Sequence, residues 1–168
     1  MTPDLSEARH IHLVGAGGAG MGAIADVLHR MGHTVTGSDL KDGPVVERLR
    51  VAGMEIHVGH DAANVGAADL VAISTAIPEH NPEVRAANER QIPLLRRSDI
   101  LPAISAERRS IVVAGTHGKT TTSSMLAMAM VEADLDPSFI IGGDVNEIGS
   151  GAVWADGEWF IIEGDESD

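Results

Sequence analysis

Val113-Ala114-Gly115-Thr116-His117-Gly118-Lys119-Thr120-Thr121-Thr122 lies between a strand-like run, Ser110 to Ala114, and a helix-like run through Met125, Met128 and Met130. Strand, glycine turn, Gly-Lys-Thr and helix are the parts of a phosphate-binding loop. Backbone N–H groups of such a turn, and of the first turn of the helix it opens, have no internal partners and can cradle an anion. Lys119 adds a fixed cation for terminal phosphates, and the Thr120 hydroxyl can enter an octahedral Mg²⁺ shell. The common pattern has a further glycine where this chain has Val113, so the turn is shorter than in the usual ATPase form. The plain alternative is an ordinary strand-to-helix turn with an exposed lysine.

Working outward, the segment ahead of this loop alternates strands and helices. His10 to Val14 reads as a buried strand running into Gly15-Ala16-Gly17-Gly18-Ala19-Gly20. A helix from about Met21 to Met31 follows, its apolar stripe set by Ala23, Ile24, Val27 and Leu28 and its end by Gly32. Strands are expected at Thr34 to Ser38, Glu55 to Val58, Asp69 to Ile73 and Ile92 to Leu95. Helices are expected from Val45 to Ala52, from Asn81 to Arg90, and from a cap at Ser98 through Ile104. That alternation predicts a parallel sheet with right-handed crossovers.

The fold expected is therefore α/β: a Rossmann-like parallel-sheet domain over residues 1–106, then the beginning of a P-loop ATPase-type α/β domain over 107–168. The polar segment Ser105 to Arg109 marks the boundary. In the second part, Phe139 to Ile141 and Trp159 to Ile162 read as strands, and Gly142, Gly143, Asn146, Gly149 and Gly151 as irregular turns. About three strands are fewer than a nucleoside-triphosphatase core needs, so the chain reads as the front part of a longer enzyme.

Composition narrows the partners. A net charge of −13 and a pI near 4.8 argue against nucleic acid or an anionic membrane. An anionic ligand must be held by local N–H groups and a few placed cations. The absence of cysteine removes disulfides, thiol nucleophiles and thiolate metal sites, and fits a cytoplasmic location.

Two clusters carry chemistry beside the phosphate loop. Gly15-x-Gly17-x-x-Gly20 follows a strand and opens a helix, with Asp39 ending the next strand. That is the dinucleotide fingerprint, in which a diphosphate meets bare backbone and a carboxylate accepts from a ribose hydroxyl. NAD or any nucleoside diphosphate satisfies it, and glycines serving only helix–sheet packing would look the same. The second cluster is Glu163, one residue beyond the apolar run Trp159 to Ile162, with Asp165, Glu166 and Asp168 behind it. A carboxylate at such a strand tip is placed to approach a bound Mg²⁺. His10 and His12 share a strand face without a third ligand, so packing or surface roles are expected for them. Arg96-Arg97 reads either as a solvated pair or as a phosphate clamp.

These segments together resemble the Mur ligases of peptidoglycan synthesis. The resemblance rests on His12 to Met21, Gly37-Ser38-Asp39, Ser74-Thr75-Ala76-Ile77, Gly115 to Thr122 and Glu163 to Asp168, in register over almost the whole chain. Within the family, the Gly-Gly-Ala-Gly-Met turn and Ser167 point to the alanine-adding branch rather than the branch that recycles murein tripeptide. Gly164 departs from the family's usual alanine.

The resemblance implies ATP, Mg²⁺, UDP-N-acetylmuramate and L-alanine as reactants and cofactors. Gly15, Ala16, Gly17, Gly18, Ala19 and Gly20 would face the diphosphate, with Asp39 and His60 near ribose and uracil. Ser74, Thr75 and Arg97 would contact nucleotide or sugar, and Gly115, Thr116, His117, Gly118, Lys119, Thr120 and Thr121 would hold ATP. Thr120 and Glu163 would surround Mg²⁺, and Lys119, Thr120 and Glu163 would be the catalytic set. ATP would convert the lactyl carboxylate to an acyl phosphate, which the alanine amine attacks. The family also needs a further metal ligand and a third domain, so this chain by itself is expected not to ligate alanine. A dinucleotide-dependent oxidoreductase or NAD-sensing module and a non-catalytic nucleotide-binding module are the competing classes.

Overall fold

The structure, a computed structural model, describes residues 3–145 and 150–164. Contacts divide the chain into two compact units, Met1–Ala103 and Ile104–Asp168.

In the first unit β1 (His10–Val14), α1 (Ala19–Arg30), β2 (Thr34–Asp39), α2 (Pro44–Val51) and β3 (Glu55–Val58) come in turn. A 3₁₀ turn (Ala62–Val65), β4 (Leu70–Ile73), α3 (Pro82–Glu89) and β5 (Leu94–Arg96) complete the sheet. The strand order is β3-β2-β1-β4-β5, with every pair parallel. This is the doubly wound order, and its connections diverge between β1 and β4. The crevice there, outside the carboxyl ends of the strands, is where such sheets take ligands.

Local chemistry explains the elements. β4 is apolar throughout and buried on both faces, as an inner parallel strand must be. Val14, Val71 and Ile73 of the sheet form one core cluster with Val84, Ala86 and Ala87 of α3. α1 starts earlier than its apolar stripe suggests, at Ala19, because small residues let the helix begin inside the glycine turn. Its close approach to α2 depends on Gly22, where a Cβ would collide with Val45 Cγ1. Asn81 caps α3 by accepting the Glu83 N–H at 2.8 Å, and Pro82 takes the first helical position.

All four helices α1 to α3 and α5 (Lys119–Glu132) close with paired bonds from the two residues after the cap. Gly32 and Gly53 serve α1 and α2, but Gln91 (φ 57°) and Asp134 (φ 55°) serve α3 and α5. α4 (Arg97–Ala106) follows β5 directly, so Ser98 lies inside the first turn instead of capping it. The local acceptor is Asp99, whose Oδ2 receives the Arg96 N–H at 2.8 Å.

The second unit contains β6 (Arg109–Ala114), α5, β7 (Ser138–Val145), β8 (Ser150–Val153) and β9 (Trp159–Gly164). Its sheet runs β6-β9-β7-β8, with β8 antiparallel to β7 and the other pairs parallel. Ala127 and Met130 of α5 pack on Phe139, Ile141 and Ile161, whereas Met125 is 69% exposed. β7 continues through Gly142 and Gly143, where the sequence suggested turns.

Candidate functional site

The first glycine turn is fixed by the sheet beneath it. Gly15, at φ 85°, adopts a conformation that other residues resist, and its N–H and that of Ala16 both donate to the Ser38 carbonyl at 2.9 and 3.0 Å. Asp39 acts on the same turn: its Oδ2 accepts the Gly17 N–H at 2.8 Å and its Oδ1 the Lys41 N–H at 3.1 Å. Gly17 has no room for a side chain, since a Cβ would lie 2.8 Å from the Asp39 carboxylate. Ser74, at the end of β4, is the neighbour of Gly15 across the crevice, 3.0 Å from where its Cβ would be.

The N-terminus of α1 has no acidic residue in its first turn. The Arg97 guanidinium lies over it instead, 2.6 Å from the position a Gly20 Cβ would take. Bare main chain, unpaired helix N–H groups and a placed guanidinium form a cradle suited to an anion. Thr75 is exposed, and a cleft of about 480 Å³ opens beside it, lined by Ser74, Ile77, Glu79, Asn88 and Arg96 among others.

His60 sits differently from its neighbours. Its Nδ1 lies 3.0 Å from the Ser38 hydroxyl and 3.0 Å from Glu83 Oε2. Glu83 is fully buried, and the Ser38 hydroxyl donates to its Oε2 at 2.6 Å while Asn64 Nδ2 donates to its Oε1 at 2.7 Å. His12 Nε2 stands 3.7 Å from Oε1, an ion-pair separation rather than a hydrogen bond. Thr36 Oγ1 bridges His12 Nδ1 at 2.9 Å and His10 Nε2 at 3.0 Å. Burial would push the Glu83 carboxyl up, but its contacts with His12, Ser38 and Asn64 more than reverse this and hold it at about 2. Glu83 therefore stays ionised inside the protein. The histidine pair expected to pack or face solvent thus belongs to a buried polar network.

The second cradle belongs to the other unit. Gly118 holds φ 76° at the cap of α5, a left-handed conformation that lets the strand turn sharply into the helix. Among the described residues the N–H groups of Thr116, His117 and Gly118 donate no hydrogen bond. The first turn of α5 contains no acid. Lys119 Nζ donates to the Gly115 carbonyl at 2.8 Å, and His117 is exposed, with its Nδ1 3.3 Å from Thr116 Oγ1. Thr121 is exposed on the first turn.

The Thr120 hydroxyl donates to Glu163 Oε2 at 3.4 Å, bringing together two residues 43 positions apart. Glu163 Oε1 is buried without a hydrogen-bond partner. Gly142 completes this corner: a Cβ on it would stand 2.9 Å from Glu163 Oε2 and 3.5 Å from Thr120 Oγ1. A buried carboxylate oxygen lacking a donor, beside a hydroxyl, is a donor set that suits a hard divalent cation. No group of three His, Cys, Asp or Glu side chains among the described residues could hold a metal ion. Asp165, Glu166, Ser167 and Asp168 lie outside the described residues, as do Asn146 and Gly149.

Residues 10–109 match the Mur ligase family, catalytic domain. The chain belongs to the Mur ligase family. It is 51% identical over 160 residues to the UDP-N-acetylmuramate–L-alanine ligase of Acidovorax sp. (strain JS42), covering 95% of this chain and 34% of that protein. It is 46% identical over 166 residues to the ligase of the same name from Psychrobacter sp. (strain PRwf-1), covering 99% and 35%. This Mur ligase chain thus spans about a third of the length of the curated relatives it matches.

Solved structures that share its fold include two ligases. A UDP-N-acetylmuramate:L-alanyl-gamma-D-glutamyl-meso-diaminopimelate ligase from Neisseria meningitides has a TM-score of 0.87 at 32% identity, covering 96% of this chain and 54% of that one. A UDP-N-acetylmuramate-alanine ligase from Thermotoga maritima has 0.84 at 30% identity, covering 92% and 37%. No helix among the described residues is long and apolar enough to cross a membrane.

Proposed function

We propose that this chain carries the UDP-sugar site and the phosphate loop of an ATP-dependent ligase that joins L-alanine to UDP-N-acetylmuramate. The observation that carries the reading is the convergence of Thr120 and the half-satisfied Glu163 carboxylate beside the Gly118-Lys119 turn. A packing turn does not need a buried oxygen without a donor.

The first unit, residues 1–106 on the sequence boundary, would hold UDP-N-acetylmuramate. The Gly15 to Gly20 turn and Arg97 would take the diphosphate, with Asp39, His60, Ser74 and Thr75 lining the rest. The second, 107–168, would begin the ATP site over Gly115, Thr116, His117, Gly118, Lys119, Thr120 and Thr121. Thr120 and Glu163 would hold Mg²⁺, which draws charge from a phosphoryl group in transfer. Lys119 would leave the Gly115 carbonyl for a phosphate oxygen and stabilise the same developing charge. This charge stabilisation favours attack by a carboxylate oxygen on the γ-phosphorus with release of ADP, and an amine then opens the acyl phosphate to an amide with loss of phosphate and a proton.

Fold alone does not separate alanine addition from murein-peptide recycling, because both solved relatives superpose almost equally well. The solved structures, at 32% and 30% identity, do not discriminate, but the curated relatives at 51% and 46% identity are alanine ligases, which favours the first. Calorimetric titration tests the site: the chain should bind UDP-N-acetylmuramate and ignore NADH. Binding of NADH in preference would overturn the ligase reading in favour of a dinucleotide module.

A further inference from the structure

Glu83 is the only fully buried carboxylate among the described residues, and nothing in the ligase reading uses it. It lies beneath the carboxyl edge of the first sheet and ties two parts of the crevice together. Through the Ser38 hydroxyl it touches the residue whose carbonyl pins Gly15 and Ala16. Through Oε2 it also reaches His60 Nδ1.

The protons of this cluster can be assigned from what each group can donate. An ionised carboxylate only accepts. The Ser38 hydroxyl has one proton, and at 2.6 Å it goes to Glu83 Oε2, so the Ser38 oxygen can only accept from His60. His60 Nδ1 therefore faces two acceptors at 3.0 Å and must carry a proton itself. In the neutral ring that leaves Nε2 as a bare lone pair, with no partner among the described residues.

We propose that Glu83 is a positioning residue for the nucleotide site, fixing His60 in the Nδ1–H form so that Nε2 accepts a hydrogen bond from a donor on the bound nucleotide. The proposal rests on the reading of this unit as a UDP-sugar site. A diphosphate offers no donor near neutral pH, so the donor belongs to the nucleoside: the imide N–H of the base or a ribose hydroxyl. His60 then selects by accepting, and a base presenting a lone pair at the same place is disfavoured.

The test uses the full chain and UDP as probe. Long-range ¹H–¹⁵N spectra of the imidazoles should show His60 protonated at Nδ1 in the unmodified protein. Glu83→Gln keeps the shape but can offer an amide proton to Nδ1, so the signature should shift toward Nε2–H. Affinity for UDP should drop about tenfold in Glu83→Gln and in His60→Ala, with the double variant no worse than either. N3-methyl-UDP, 2′-deoxy-UDP and 3′-deoxy-UDP identify the donor: whichever loses affinity in the unmodified chain, but not in His60→Ala, lacks it.

An unmodified chain that binds UDP with His60 in the Nε2–H form overturns this proposal alone, and so does undiminished affinity for all three analogues. Neither measurement depends on a variant folding. An unmodified chain that binds no UDP overturns the nucleotide reading and this proposal with it.

Discussion

Replacing Glu83 by glutamine should flatten the acid limb of stability. The carboxyl falls from an ordinary 4.5 to about 2 in the folded protein. At about 1.4 kcal/mol per pH unit, that difference corresponds to roughly 3 kcal/mol of folding stability. The sign follows from proton binding. The unfolded chain takes up its Glu83 proton near pH 4.5 and the folded one only near 2, so acid favours unfolding. The contribution is complete above pH 4.5, declines as pH falls, and is gone below about 2.

The difference between native and Glu83→Gln chains reads this carboxylate together with its coupling to His12 and His60, which face a charge in the native chain and a neutral amide in the variant. The probe needs care: both tryptophans, Trp154 and Trp159, are in the second unit and do not watch Glu83. Native-state hydrogen exchange at β1 amides, read from pH 6 to pH 3, does. The native chain should lose more protection than the variant across that range, by about 2 kcal/mol at pH 3. Equal losses would show that the buried carboxyl is not held ionised, and the proton assignment around it would fail.

Three further outcomes are expected. Gly142→Ala should push the Glu163 carboxylate away from Thr120 and reduce Mg²⁺-dependent ATP binding about tenfold while sparing Mg²⁺-free binding, measured by titration with and without the ion; an unchanged metal dependence would contradict it. Arg97→Ala should weaken UDP about tenfold and uridine hardly at all, since the guanidinium lies over the N-terminus of α1; an equal loss for both would place Arg97 elsewhere on the ligand. Gln91→Gly should raise stability by about 0.5–1 kcal/mol in urea unfolding, because an exposed residue at φ 57° carries strain that glycine relieves; a lower midpoint would mean the Gln91 side chain compensates.

The parallel sheet was legible because strands and helices alternate with clear glycine and proline punctuation. β8 was not. Its Ser150-Gly151-Ala152-Val153 run offers no alternation of apolar and polar residues to read, and its pairing with Phe139, Ile140 and Val145 of β7 shifts register across the glycines between them. Glu83 was hidden by a sufficient local explanation: Asn81-Pro82-Glu83 reads as a helix cap, a first-turn proline and an acid favoured by the dipole. Its partners come from β1, β2 and the segment between β3 and β4, which no local window joins.

A signal did exist. His10 and His12 alternate with Ile11 and Leu13 on an inner strand, and the register sets His12 beside Thr36 and Val14 beside Ser38 on the adjoining one. Polar residues on a strand with both faces covered need partners. The Thr120–Glu163 approach was expected from strand-tip logic, whereas Gly142 read only as an irregular turn, because a missing side chain has meaning only once its neighbours are placed.

The two glycine turns hold their contacts in peptide groups, which every residue possesses. Deleting side chains one at a time would therefore leave these surfaces almost unmarked, and a scan by alanine would report them as tolerant wherever alanine still fits. Their vulnerability runs the other way, toward added atoms: a methyl group at Gly17, Gly20 or Gly142 does what truncation elsewhere does. Variants in such a protein are better ranked by the volume they introduce than by the groups they remove.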